Sequence, residues 1–228
     1  MSKIIRFRFR KGDEVRFLSH LDLIRTLERA IRRANLPISY SEGFNPRPKM
    51  SFGFALAVGI LSTGEYGDYE FVEDLDPEEF LTCYNKHLPS GLEVLEAGEL
   101  PEGTPTLMSS INAASYELYI PQKTSVEISE RWAWLQGQDS YIIARETKKG
   151  TRQVDVLPFL FDLTSVQDQG TGVVVNCLCS LGNQANLRME ELGALLEFPH
   201  LESRITRTAQ LIKEGPNYFP PLRIEDQE

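Results

Sequence analysis

The residues best able to do chemistry lie in the first fifty of this 228-residue chain. His20 sits where a helix opens, and a histidine there can act as a general acid or base beside free backbone amides. It is the one catalytic candidate, and a weak one, because no second group at catalytic spacing accompanies it. Arg25, Arg29, Arg32 and Arg33 follow at helical spacing. At 100° per residue they span an arc of about 100° and make a positive ridge. A loop then adds Asn45, Arg47 and Lys49: Arg47 can grip a phosphate as a fork, and Lys49 acts as a point charge. Tyr40, Phe44, Phe52 and Phe54 bracket these cations and offer faces for unpaired bases, although at least two of the four should fill core instead.

The loop, Ser39-Tyr-Ser-Glu-Gly-Phe-Asn-Pro-Arg-Pro-Lys-Met-Ser-Phe-Gly-Phe54, is longer than the two to five residues a plain hairpin needs. Pro46 and Pro48 stiffen it and remove two amide donors. Residues 1–60 hold twelve Lys or Arg against five Asp or Glu, whereas the whole chain has net charge −9. One basic end on an acidic protein is a candidate for local anion binding. Further along, Gly182–Arg188 joins a strand to a helix, so Arg188 and the helix start could also meet an anion. Glu78-Glu79 and Glu190-Glu191 read as solvent-facing helix residues.

No phosphate-binding glycine fingerprint, nucleophilic triad or metal-ligand spacing is present, so neither a cofactor nor a metal is expected. Cys83, Cys177 and Cys179 are an odd set with no disulfide pattern, and the last two lie in an apolar strand. No apolar run approaches the ~20 residues that cross a bilayer. The start lacks the apolar stretch of a signal peptide, so the expected location is cytoplasmic, with no membrane partner.

Periodicity supplies the elements that must hold these residues. Ile4–Arg10 alternates as a strand. Ser19 caps a helix with Asp22 at the capping-box position, and Asn35 and Pro37 end it. Ile38–Tyr40 starts a strand, Ser51–Gly59 makes a third element, and Glu65–Val72 is a clear strand. Asp76-Pro77 starts a second helix, and Leu92–Leu95 is a short strand. That order is β-α-β-β-α-β, the ferredoxin-like pattern. Residues 98–110 are rich in Gly, Pro and Ser. In the second half, Ala114–Pro121, Tyr141–Thr147, Arg152–Leu157, Phe159–Ser165 and Gly172–Cys179 read as strands. Ser125–Leu135 and Arg188–Leu196 read as helices, Lys148-Lys149-Gly150 as a hairpin turn and Ile205–Leu211 as a terminal element. The expected fold is α+β, two tandem ferredoxin-like (βαββαβ) domains: 1–97, basic; a linker, 98–112; and 113–228, acidic.

Several of these residues together resemble a known family. His20-Leu-Asp-Leu23, Leu36-Pro37, the run Tyr40–Phe52, Gly59 and Gly64-Glu-Tyr-Gly-Asp68 are similar to the uncharacterised radical-SAM-linked domain family. Gly150-Thr-Arg-Gln-Val-Asp155, Asn186-Leu-Arg188 and Ile205-Thr-Arg207 extend the resemblance. Members stand free or are joined to the C-terminal side of a B12-binding-type radical SAM protein. The resemblance implies an accessory unit beside a radical SAM enzyme, with no settled activity of its own. Arg47 stands where many members have histidine, which removes a titratable group from the loop. Leu157 stands where an arginine is usual.

The leading expectation is therefore a non-enzymatic RNA-binding or substrate-recognition module that serves a radical SAM protein in RNA modification. Arg25, Arg29, Arg47, Lys49 and Arg188 would contact phosphates. Tyr40 or Phe44 would stack on a base, and Asn45 would bond a base edge. One alternative is a protein–protein adaptor for the radical SAM partner. The other is a metal-independent endoribonuclease using His20, a fold-level analogy.

Overall fold

The computed structural model describes residues 3–147, 150–183 and 185–222. Lys148 and Lys149 of the expected hairpin turn therefore lie outside the described residues. The chain is mixed α+β and divides into two compact units, residues 1–111 with 209–228, and residues 112–208. Among the described residues, no helix is long and apolar enough to cross a membrane.

The first unit contains β1 (Lys3–Lys11), α1 (His20–Arg33), β2 (Met50–Phe52), β3 (Leu61–Phe71), α2 (Pro77–Asn85), β4 (Leu92–Glu99) and a short α3 (Leu107–Ser110). β1 runs antiparallel between β3 and β4, and β2 pairs with β3, giving the order β4-β1-β3-β2. The alternation expected for β1 sorts its side chains by face. Ile5, Phe7 and Phe9 enter a core with Tyr69 and Phe71 of β3, Leu23, Leu27, Ala30 and Ile31 of α1, and Phe80 and Tyr84 of α2. Phe7 meets Tyr69 edge-on at 4.6 Å. Both helix starts are capped by the residues that local chemistry predicts: the Asp22 amide donates to Ser19 Oγ at 3.2 Å, and the Glu78 amide to Asp76 Oδ1 at 2.8 Å.

The second unit contains β5 (Ala113–Pro121), α4 (Ser125–Gln136), β6 (Ile142–Thr147), β7 (Gly150–Asp155), β8 (Leu160–Gln169), β9 (Gly172–Ser180) and α5 (Met189–Leu196). It also takes the first residues of β10 (Arg204–Glu214), and its strand order is β10-β5-β9-β8. β6 and β7 form a separate two-stranded hairpin. Thr124 and Glu127 make a reciprocal capping box at α4. Cys177 and Cys179 are buried on one face of β9, as their strand setting predicts, with sulfurs 3.8 Å apart.

Three expectations change. Ser51–Gly59 is not a continuous element: the strand is limited to Met50–Phe52, and Ile38 and Tyr40 make only single bridges, to Phe71 and Pro48. Residues 98–112 are not a free linker. Gly98 is inside β4, Leu107 is buried, and the Pro105 carbonyl accepts a hydrogen bond from Arg6 at 3.1 Å. Residues 209–222 pack with the first unit rather than the second. The Gln210 side chain accepts from the Phe54 amide at 2.8 Å and donates to Glu65 at 3.1 Å, and Pro221 O accepts from Arg6 at 3.0 Å. β11 (Asn217–Phe219) pairs back on β10.

Candidate functional site

The proline-rich loop is a closed hairpin. The Ser41 amide donates to Arg47 O at 2.8 Å, and the Arg47 amide donates to Ser41 Oγ at 3.0 Å. Below them Lys49 N–H meets Ser39 O, Ser39 N–H meets Glu70 O, and Glu70 N–H meets Lys49 O, at 2.7–3.1 Å. Residues 42–46 are thus a tip on a base tied to β3. Gly43 turns the tip with φ +117°, a conformation side chains other than glycine's rarely adopt. Pro46 and Pro48 lack amide protons that the ladder would otherwise leave unpaired.

This base leaves the tip's side chains outward. The Phe44 ring is fully exposed, at 107%. Tyr40 is 43% exposed, and Asn45 and Arg47 are exposed. The Arg47 guanidinium has no hydrogen-bond or ion-pair partner among the described residues. Lys49 is different: its Nζ lies 2.8 Å from Glu70 Oε1. Phe52 and Phe54 are half-buried, and Phe52 packs edge-on to Phe9 and Tyr69.

The positive ridge exists, but α1 carries much of its own neutralisation. Arg25 lies 3.3 Å from Asp22, and Arg32 lies 2.7 Å from Glu28. Arg33 turns to the His87 carbonyl at 2.7 Å. Arg29 is exposed without a direct partner among the described residues, and its charge acts on Asp22. Hydrogen bonding from the Ser19 hydroxyl, and then the Arg25 and Arg29 charges, hold the Asp22 carboxyl below its ordinary range.

The expected cations do not converge. α1 covers the sheet face that holds Ile5, Tyr69 and Phe71, so its arginines point away from the sheet. Lys49 belongs to the opposite face, with Ile4, Ser51, Asp68 and Glu70. The hairpin also lies far from His20. It leaves the sheet at Phe71, which pairs with Lys3, whereas the segment before His20 is held by the Lys11 ammonium through Arg16 O and Leu18 O. Those are opposite ends of nine-residue β1, about 26 Å apart at a strand's rise. His20, half-buried at the first position of α1, therefore gains no acid–base companion from the loop. Arg188 sits in the second unit as the N-cap of α5, with its Nη1 3.7 Å from Glu190.

Glu78 and Glu79 are exposed as predicted, but Glu191 is not: it is 3% exposed. Arg145 from β6 grips its carboxylate with two bonds of 2.7 Å, and the Arg188 amide adds a third at 2.9 Å. Arg6 is likewise buried although strand periodicity assigns it to a solvent face, and Gln210 is a buried polar residue of β10. Several of their hydrogen-bond partners, Pro105 O, Pro221 O and the Phe54 amide, lie in coil segments, where sequence patterns carry no signal.

No curated protein shows significant similarity to this chain. A family model described as an uncharacterized protein conserved in bacteria (DUF2344) matches residues 4–189. That span covers the first four strands, the capped α1, the closed hairpin and most of the second unit, ending at the first residue of α5. The chain belongs to this conserved bacterial family.

Proposed function

We propose that this protein is an accessory recognition module working beside a radical SAM enzyme, and that the Tyr40–Lys49 hairpin is its contact element. The observation that carries the reading is the Phe44 ring, wholly exposed on a tip whose base is hydrogen-bonded on both sides. A preorganised aromatic loses little entropy on docking and is a typical interface anchor. The dispersed and locally paired cations favour a protein surface over an RNA track as the first contact. Glu42 beside Arg47 leaves the tip itself without net charge. The adaptor reading is thereby preferred: Phe44 fills an apolar socket on the radical SAM protein and Arg47 meets an acidic rim.

The strand orders β4-β1-β3-β2 and β10-β5-β9-β8 support the companion reading of two ferredoxin-like units in tandem. In that reading β6–β7 is a hairpin inserted into the second unit. The free thiols of Cys83, Cys177 and Cys179 suit a reducing cytoplasm.

RNA recognition is the second reading, favoured by the unpartnered Arg47 beside exposed Asn45, Phe44 and Tyr40. One experiment separates the two. The full chain, Phe44→Ala and Arg47→Glu are titrated against a purified radical SAM partner and against a random single-stranded RNA at low salt. The expected result is partner binding weakened at least tenfold by Phe44→Ala, with no salt-sensitive RNA binding. RNA binding that falls steeply with salt and is lost in Arg47→Glu replaces the adaptor with the RNA module. Partner binding unchanged in Phe44→Ala overturns the hairpin as the contact element.

A further inference from the structure

On the face of the first unit's sheet opposite α1 and α2, the strands and the segment after β4 enclose an open cleft of about 260 Å3. Ile4 of β1 and Leu100 give it an apolar wall, and Lys49, Ser51 and Glu70 give it a polar one. The outer edge of the cleft is held in place from behind. Arg6 is 2% exposed and donates to Pro105 O, between the lining residues Thr104 and Thr106, at 3.1 Å.

The polar wall carries one cation and one anion at hand for a ligand. Asp68 also lines the cleft, but both of its oxygens are taken by Arg6, at 2.7 and 2.9 Å. That leaves the Lys49–Glu70 pair, at 2.8 Å, with side chains 44% and 23% exposed. A pair so exposed to solvent contributes little, so a ligand that satisfies both charges separates it easily. The Ser51 hydroxyl beside them has no hydrogen-bond partner among the described residues.

We propose that this cleft binds a small zwitterion with an apolar arm, the chemistry of an aliphatic α-amino acid. The ligand's carboxylate takes Lys49 Nζ and the Ser51 hydroxyl, its ammonium takes Glu70, and its side chain lies on Ile4 and Leu100. The volume is slightly below the ~300–1,000 Å3 of drug-sized sites, which matches a ligand of that size. A simple carboxylate leaves Glu70 unpaired, and a simple amine leaves Lys49 unpaired, so both are disfavoured.

The test is a titration of the full chain with L-leucine as probe, followed by amide chemical shifts, with isovalerate and isoamylamine as single-charge controls. L-leucine is expected to saturate shifts at Ile4, Ser51 and Leu100, with at least tenfold weaker binding in Lys49→Ala and in Glu70→Gln. Both variants alter partly exposed side chains and keep the wild-type thermal midpoint. Phe44→Ala binds L-leucine normally, which separates this site from the hairpin's role. No saturable shift at millimolar L-leucine, equal binding by the two variants, or equal binding of isovalerate would each overturn the proposal.

Discussion

Arg6 and Asp68, 62 residues apart, form a two-pronged ion pair across β1 and β3: Nε donates to Oδ1 at 2.7 Å and Nη2 to Oδ2 at 2.9 Å. The arginine is almost wholly buried, and its remaining donors reach Pro105 O and Pro221 O. One side chain thus ties the sheet to two coil segments. Charge-assisted forks of this kind are strong and directional, but they depend on both partners.

Asp68→Asn removes the countercharge and leaves a buried guanidinium facing an amide. The expected loss is about 3–5 kcal/mol, the range for breaking a buried pair by one partner. Urea denaturation measures it. A loss below ~1 kcal/mol means that Arg6 escapes to water and the fork is dispensable.

Gly53 lies against Gln210. A Cβ at this position would sit 2.3 Å from Gln210 Oε1, the atom that accepts the Phe54 amide. Gly53→Ala is expected to destabilise by about 1–3 kcal/mol through overpacking. Combining it with Gln210→Ala relieves the clash, so the two changes together cost less than their sum. Additive losses in thermal melts contradict the close approach.

Ser19 both accepts the Asp22 amide and donates its hydroxyl to Asp22 Oδ2, at 2.7 Å. Ser19→Ala removes the cap, an expected loss of about 1 kcal/mol. It also releases the Asp22 carboxyl toward its ordinary value of 3.8, because the serine bond is the largest cause of its lowered pKa. With the folded value depressed, this contribution is present above 3.8 and is lost as pH falls through the folded value. A carboxyl titration by NMR reads the change, and an unaltered Asp22 pKa in Ser19→Ala contradicts it.

Tyr69 and Tyr84 share a buried hydroxyl pair at 2.9 Å, and Tyr84 passes its proton to Leu27 O at 2.9 Å. Tyr84 therefore accepts from Tyr69. Tyr84→Phe strands the buried Tyr69 hydroxyl as a donor and loses the bond to Leu27 O, whereas Tyr69→Phe strands no donor. The expected costs are about 2–4 kcal/mol for Tyr84→Phe and about 1 kcal/mol for Tyr69→Phe. Chemical unfolding of the two variants gives the order, and the reverse order assigns the proton to the other hydroxyl.

What could be read locally is what local chemistry controls. β1 follows from Ile5, Phe7 and Phe9 alternating with arginines, α1 from Ser19 and Asp22, and α2 from Asp76 and Pro77. The hairpin was legible as an elaborate loop because Asn45-Pro46 and Pro48 interrupt any regular element. Its closure by Ser41 and Arg47 was not, because that depends on a side chain accepting from an amide six residues away. Glu191 reads as a helix-surface acid, yet Arg145, 46 residues earlier, draws it into the interior. The arginine ridge was read correctly as a ridge. Its separation from Lys49 required knowing which sheet face α1 covers.

By itself, the amino-acid order determined which segments become helices and strands and which side chains share each face, since those periodicities come from backbone geometry alone. It also determined a stiff, aromatic, cation-bearing hairpin. Only the tertiary structure decided which faces are covered. Arg6 is buried because chain 99 and 215 residues away folds over β1, and no local pattern records that contact. The segment around Pro105 also turns a strand's polar face into one wall of a cleft.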